Sequence, residues 1–300
     1  MPSETMQQVL DALHQRQHAA ASLPPPSLAT IRATFTPAGQ PHSIPPDVIV
    51  TDVRAGGVAA HWLDAPAVRP DRVLVFLHGG GYQFGSVASD GELASRLGRA
   101  SGMRVLFPEY ALSPEHPFPA PVDDVLAVWQ WLVADEHVAP GSLALAGDSA
   151  GGGLAVALMV AARDAGLVLP TAAVLMSPTV DLTSSGASMT ERVDQDPIST
   201  PALLRKLASD YLAGADPTTP LASPLFASLD GLPPLLIQVG TADLLLSDSE
   251  RLAAAATAAG VEVRLEIGDG LPHVYPLMLG TPEAEDATTR SGAFLRERLS

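Results

Sequence analysis

The chain has 300 residues, of which 47% are hydrophobic and 17% charged, which suits one large packed domain and excludes disorder. Lys and Arg number 17 against 33 Asp and Glu, and the net charge of −16 argues against nucleic-acid and anionic-membrane partners. Cys and Asn are absent and Lys206 is the single lysine, which removes thiol nucleophiles, disulfides, thiolate metal sites, N-glycosylation and an Asn oxyanion donor.

In chain order, Met1–Gln8 has no basic start followed by an apolar run, so no signal peptide and a cytoplasmic location are expected. Residues 6–20 fit a short helix, and the proline-rich stretch 24–46 an extended connector. From Asp47 the pattern becomes regular. Strands are predicted at Val48–Val53, Ala59–Leu63, Val73–Leu77, Arg104–Phe107, Leu143–Ala146, Ala172–Met176, Leu235–Val239 and Val261–Ile267. Helices are predicted at Gly91–Ala100, Val122–Val133, Ala150–Ala165, Ala202–Ala213, Ser249–Ala259 and Glu283–Arg298. Short apolar strands alternating with longer helices imply an α/β fold with a mainly parallel eight-stranded sheet covered on both faces. Ser89 with Glu92, and Ser247 with Glu250, fit capping boxes, and Gly102 and Gly260 fit helix C-termini. The apolar run Leu143–Ala162 contains Asp148, Ser149 and three glycines, which favours a buried strand and helix over a membrane span. The long, proline-punctuated stretch Asp181–Pro234 reads as an insertion over one end of the sheet.

Chemistry concentrates at strand ends. His78-Gly79-Gly80-Gly81 directly follows a predicted strand, and consecutive glycines can turn several N–H groups toward one point because no Cβ blocks the backbone. Gly147-Asp148-Ser149-Ala150-Gly151 joins a strand to a helix, which is the context a nucleophile elbow requires. Asp243 and His273 each lie just beyond a later strand, in the order serine, acid, histidine. This makes Ser149 the candidate nucleophile, His273 the general base and Asp243 the carboxylate that orients it. Asp248 is a rival acid, but a carboxylate in the first turn of a helix has a capping reason to be there. His78 reads as structural, and no histidine stands at metal-ligand spacing, so neither metal nor cofactor is expected.

These residues resemble the hormone-sensitive-lipase family of bacterial esterases, which have the α/β-hydrolase fold. The resemblance rests on His78–Gly81, on Gly147–Gly152, on Tyr110–Pro121 (Y-A-L-S-P-E-H-P-F-P-A-P), and on Ser223–Leu225, Leu232–Pro234 and Gly240–Leu245. It implies oxyanion-hole N–H groups from Gly79, Gly80 and Ala150. It also implies a small helical cap built from residues 1–46 and an insertion at about 181–221, over a catalytic domain spanning 47–300. Four positions depart from the family pattern: Ala111 where Arg is usual, Leu244 where Pro is common, and Val274-Tyr275 where Gly-Phe is frequent.

The expected activity is hydrolysis of neutral short- to medium-chain esters through an acyl-enzyme intermediate, without interfacial activation. A lactonase or amidase would use the same triad, and a non-catalytic binding protein on this scaffold would have lost Ser, His or Asp. The expected partner is a small-molecule ester, and a homodimer is left open.

Overall fold

A computed structural model describes residues 1–20, 22–24, 26–35 and 43–299. Among the described residues eight strands form one sheet in the order β1-β2-β4-β3-β5-β6-β7-β8. They are β1 (Ile49–Ala55), β2 (Val58–Asp64), β3 (Arg69–Leu77), β4 (Met103–Pro108), β5 (Leu143–Asp148), β6 (Ala173–Met176), β7 (Leu235–Ala242) and β8 (Val263–Pro272). β2 runs antiparallel to β1 and β4, and the pairs from β4 through β8 are parallel. The mainly parallel eight-stranded sheet therefore stands as expected.

The central strands are apolar along their whole length because both faces are covered. On one face pack α4 (Ala120–Ala134), α5 (Ser149–Asp164) and α8 (Leu246–Ala258), burying Trp129, Leu154 and Leu252. On the other pack α3 (Val87–Ser101) and α9 (Pro282–Arg296), burying Leu93, Leu97 and Phe294. Each such fully buried side chain contributes about 1.5–3 kcal/mol of transfer free energy.

Outside this body lie α1 (Glu4–Ala20) and α2 (Leu28–Thr34) before the sheet, and α6 (Ser188–Glu191) and α7 (Pro201–Leu212) between β6 and β7. Met6, Leu10 and Leu13 share one face of α1 and rest on Leu271, Tyr275 and Met278, next to the end of β8.

Several details differ from the sequence reading. The connector is not extended throughout: Leu28–Thr34 is helical, started by Ser27, whose hydroxyl accepts from the Thr30 N–H at 3.1 Å. Pro25, Pro37, Pro41 and His42 of that connector lie outside the described residues. The two expected capping boxes do not form. α3 begins earlier, with Ser86 donating its N–H to Ser89 Oγ at 2.9 Å, and Glu92 instead pairs with Arg96 at 3.0 Å. Ser247 sits inside α8 and accepts from the Ser188 N–H at 2.9 Å. Gly102 does close α3, in the left-handed region at φ 72°.

Candidate active site

β5 passes into α5 without a loop, and Ser149 sits at the junction with φ +51°. That strained region costs a non-glycine residue roughly 1–3 kcal/mol and persists only where packing enforces it. Here backbone crowding enforces it. A Cβ on Gly147 would stand 2.4 Å from Gly151 O, and one on Gly151 would stand 2.0 Å from Leu77 O. Ser149 Oγ lies 3.0 Å from His273 Nε2, and His273 Nδ1 lies 3.1 Å from both Asp243 carboxylate oxygens. Asp243 is fully buried, and its Oδ1 also accepts from the Leu245 N–H at 2.8 Å. The three residues named from sequence thus meet in one hydrogen-bonded line.

His273 is pulled down by burial. The Asp243 charge and hydrogen bond, with Asp196 and Asp148 beyond, outweigh this and hold the ring up at about 9. Asp196, in the stretch before α7, is an unforeseen neighbour. It is buried, accepts from the Leu244 N–H at 3.0 Å, and accepts from the Ile198 and Ser199 N–H groups at 2.8 Å each. Burial and the Asp243 charge push it up to about 6.

The glycine loop corrects one expectation. The single N–H of Gly79 donates to Asp148 Oδ1 at 3.0 Å and so is not available to a ligand. Gly80 and Gly81 line the cavity instead, and among the described residues no acceptor takes either N–H. Ala150 is the second residue of α5, where helix geometry leaves N–H groups without intrahelical partners. The cavity-lining residues whose N–H groups are left for a ligand are therefore Gly80, Gly81 and Ala150. Gly81 could have been found from the glycine run, but the use of Gly79 by the elbow aspartate is a tertiary contact. Burial, with the nearby Asp90 charge, pushes the Asp148 carboxyl well above the ordinary carboxylate range.

His78 is a support. Its ring stacks between Phe107 and Tyr110, and Nδ1 lies 2.8 Å from Gly79 O. Burial lowers it to about 4, so it is neutral at neutral pH. Asp248 does not cap its own helix. Its Oδ2 accepts from the Val180 and Asp181 N–H groups at 2.9 and 3.0 Å, anchoring the loop after β6. Among the described residues no group of His, Asp or Glu is arranged to hold a metal, and no helix is long and apolar enough to cross a membrane.

Over Ser149 lies a cavity of about 200 Å³. Gly80, Gly81, Ala150 and His273 form its floor, and Phe35, Leu182, Ile198, Leu203 and Leu207 stand among its apolar walls.

Residues 74–277 match the family model for the α/β-hydrolase fold. The chain belongs to the α/β-hydrolase family. Within that family it is 46% identical over 257 residues to an acetyl-hydrolase of Streptomyces hygroscopicus, covering 84% of this chain and 83% of the relative. It is 34% identical over 254 residues to a carboxylesterase of Mycobacterium tuberculosis, covering 81% and 78%. Among solved structures it is similar to an esterase from the bacterial hormone-sensitive lipase family, with 40% identity, a TM-score of 0.94 and all of both chains covered. This α/β-hydrolase is thus a member of the bacterial hormone-sensitive-lipase group of esterases.

Sequence reasoning missed Asp196, whose charge faces His273. Asp196-Pro197 was legible only as turn chemistry, since Asp before a two-residue N–H pair is an Asx turn wherever it occurs.

Proposed function

We propose that this protein is a serine esterase acting on neutral carboxylic esters with short to medium acyl chains. The observation that carries the reading is the line Ser149 Oγ, His273 and Asp243, ending beneath a cavity that Gly80, Gly81 and Ala150 line. His273 Nε2 takes the Ser149 proton as Oγ attacks the ester carbonyl, and Asp243 fixes the tautomer and stabilises the imidazolium. The carbonyl oxygen becomes an oxyanion held by the three N–H groups. Collapse breaks the bond to the alkoxy group, which leaves with the proton from His273. Water then repeats the sequence on the acyl-enzyme, releasing acid and restoring Ser149.

The short to medium chain length rests on the cavity volume of about 200 Å³ and its apolar walls. Similarity to an acetyl-hydrolase points the same way. Residues 1–46 and about 181–221 are read as a cap over a catalytic domain of 47–300, because Phe35, Leu182, Ile198, Leu203 and Leu207 all come from them and wall the cavity.

The test is hydrolysis of p-nitrophenyl esters from acetate to palmitate by the parent and by Ser149→Ala. Activity is expected to peak at short to medium chains and to vanish in the variant, whose fold stays intact. Substantial residual turnover would remove Ser149 from its role, and a preference for palmitate would reject the chain-length assignment.

A further inference from the structure

The Gly81 N–H is aimed by the peptide it shares with Gly80. The Gly80 carbonyl accepts from the Gln83 and Phe84 N–H groups at 3.0 and 3.2 Å. A trans peptide points its N–H opposite to its C=O, so the turn that fixes the Gly80 carbonyl on Gln83 and Phe84 also fixes the Gly81 N–H on the opposite side of that peptide. The turn is held from outside by α2. Arg32 Nε donates to Gln83 O at 2.7 Å, and Nη2 donates to Ser113 O at 2.9 Å. Both Nη atoms also fork onto the Glu115 carboxylate at 2.7 Å each. Ser113 in turn holds the Tyr82 carbonyl through its N–H at 2.8 Å and its hydroxyl at 3.1 Å. Phe35, just after α2, packs its ring on Phe84 with centroids 4.6 Å apart. Arg32 therefore grips both stretches that frame the glycine loop, and α7 adds a lighter grip where Gln83 Nε2 donates to Asp210 at 2.8 Å.

We propose that Arg32 is a positioning residue for the oxyanion donors, acting through the Gln83 and Ser113 carbonyls to hold the Gly80–Gly81 peptide aimed at the reacting carbonyl oxygen. The proposal rests on the reading of Ser149 as nucleophile and of Gly80 and Gly81 as donors. Its signature is kinetic. A group that aims donors at an oxyanion acts where charge develops, so its loss lowers kcat rather than raising KM. The planar guanidinium serves three acceptors at fixed angles, which a lysine ammonium on the same stem does not reproduce.

The experiment compares Arg32→Ala, Arg32→Lys and Glu115→Gln on p-nitrophenyl acetate, with thermal melting beside it. Binding of a trifluoromethyl ketone, whose tetrahedral adduct carries an oxyanion, is measured in each. Arg32→Ala is expected to lower kcat by roughly tenfold to a hundredfold, the upper figure being the cost of about 1 Å of misplacement in a reacting geometry. Its KM is expected to stay within about twofold. Ketone affinity should fall with kcat, and Arg32→Lys should recover part of both. Glu115→Gln keeps both carbonyl contacts and loses only an exposed ion pair, so its kcat should match the parent. A lowered melting temperature with unchanged kcat would make Arg32 a scaffold contact and overturn the proposal. A loss confined to KM would overturn it too, by assigning α2 to the entrance. If Arg32→Ala fails to fold, unchanged kcat and ketone affinity in Arg32→Lys overturn it equally. Residual activity in Ser149→Ala is a separate failure, that of the nucleophile.

Discussion

At the strand-to-helix elbow, which carries the floor of the cavity, the close approaches are between backbones. Gly151 leaves no room for a Cβ against Leu77 O, and Gly153 leaves none against Thr179 O, where the gap would be 1.9 Å. At the roof the approaches run from single side chains to distant backbone. Asp196 reaches the Leu244 N–H, Asp248 reaches the N–H groups of Val180 and Asp181, and Arg32 reaches the Gln83 and Ser113 carbonyls. The floor is thus specified by what must be absent, and the roof by what must be present. Damage to the floor should be steric and abrupt, while damage to the roof should be graded and electrostatic.

The sharpest break of that contrast is Gly151→Ala. The added methyl would meet two carbonyl oxygens, Leu77 O at 2.0 Å and His78 O at 2.4 Å. Neither is the flexible end of a side chain, so the strand and elbow must part, at a cost of roughly 3 kcal/mol or more. Loss of soluble protein, or a large fall in melting temperature together with loss of turnover, is expected. A variant that melts within about two degrees of the parent would show the floor to be more yielding than the contacts imply.

Next in size is the pair Asp243→Asn and Asp248→Asn, two buried carboxylates five positions apart on opposite sides of the contrast. Asp243→Asn leaves the imidazole without the acceptor that fixes its tautomer, and kcat should fall roughly 10⁴-fold. Asp248 faces backbone donors, and burial already pushes it up to about 7. A neutral Asn still accepts there, so its main effect should be on melting, with kcat within about tenfold of the parent. Greater damage to kcat in Asp248→Asn would reverse the assignment.

The same contrast explains what the sequence could reveal. Backbone crowding at Gly147, Ser149 and Gly151, and the glycine run from Gly79, are local, so short motifs carry them, and strand ends fix where Asp243 and His273 emerge. The roof joins residues far apart in the chain: Arg32 to Glu115, Gln17 to the Asp196 carbonyl, Arg251 to Asp181. No periodicity or spacing encodes such pairs. The misassigned Gly79 belongs to the same class, because its N–H is taken by Asp148, 69 positions away.

Asp196→Asn sharpens the electrostatic half of the contrast. The charges facing His273 come from Asp243, Asp196 and Asp148, and burial raises the Asp148 carboxyl well above the ordinary carboxylate range, as it raises Asp90 behind it to about 7. Above about 6 Asp196 is ionised and helps to hold the imidazolium. Turnover needs the neutral ring, so activity rises as pH climbs through the His273 pKa. Removing the Asp196 charge lowers that pKa, and the acid limb of kcat/KM should move down by up to about one pH unit. A limb that stays in place, or moves up, would show that Asp196 serves only to hold the Leu244 backbone.

The smallest effect expected is at Leu207, where roof meets floor. Its Cδ1 lies 2.6 Å from where a Gly81 Cβ would be, so the isobutyl group sits directly over one proposed oxyanion donor. Leu207 is nearly buried and walls the cavity from α7. A substrate whose carbonyl oxygen reaches the Gly81 N–H must run its chain past this side chain. Leu207→Ala removes three carbons there and widens the space without touching a polar group. Hydrophobic pockets discriminate weakly per methylene, so the ratio of kcat/KM for p-nitrophenyl decanoate over acetate should rise by roughly tenfold. The turnover of acetate itself should change little, because its acyl group is too short to reach the vacated space. An unchanged ratio with a lower melting temperature would mean that Leu207 packs the roof without limiting the chain. A fall in acetate turnover as large as any gain for decanoate would mean that it presses Gly81 into position, making it part of the floor.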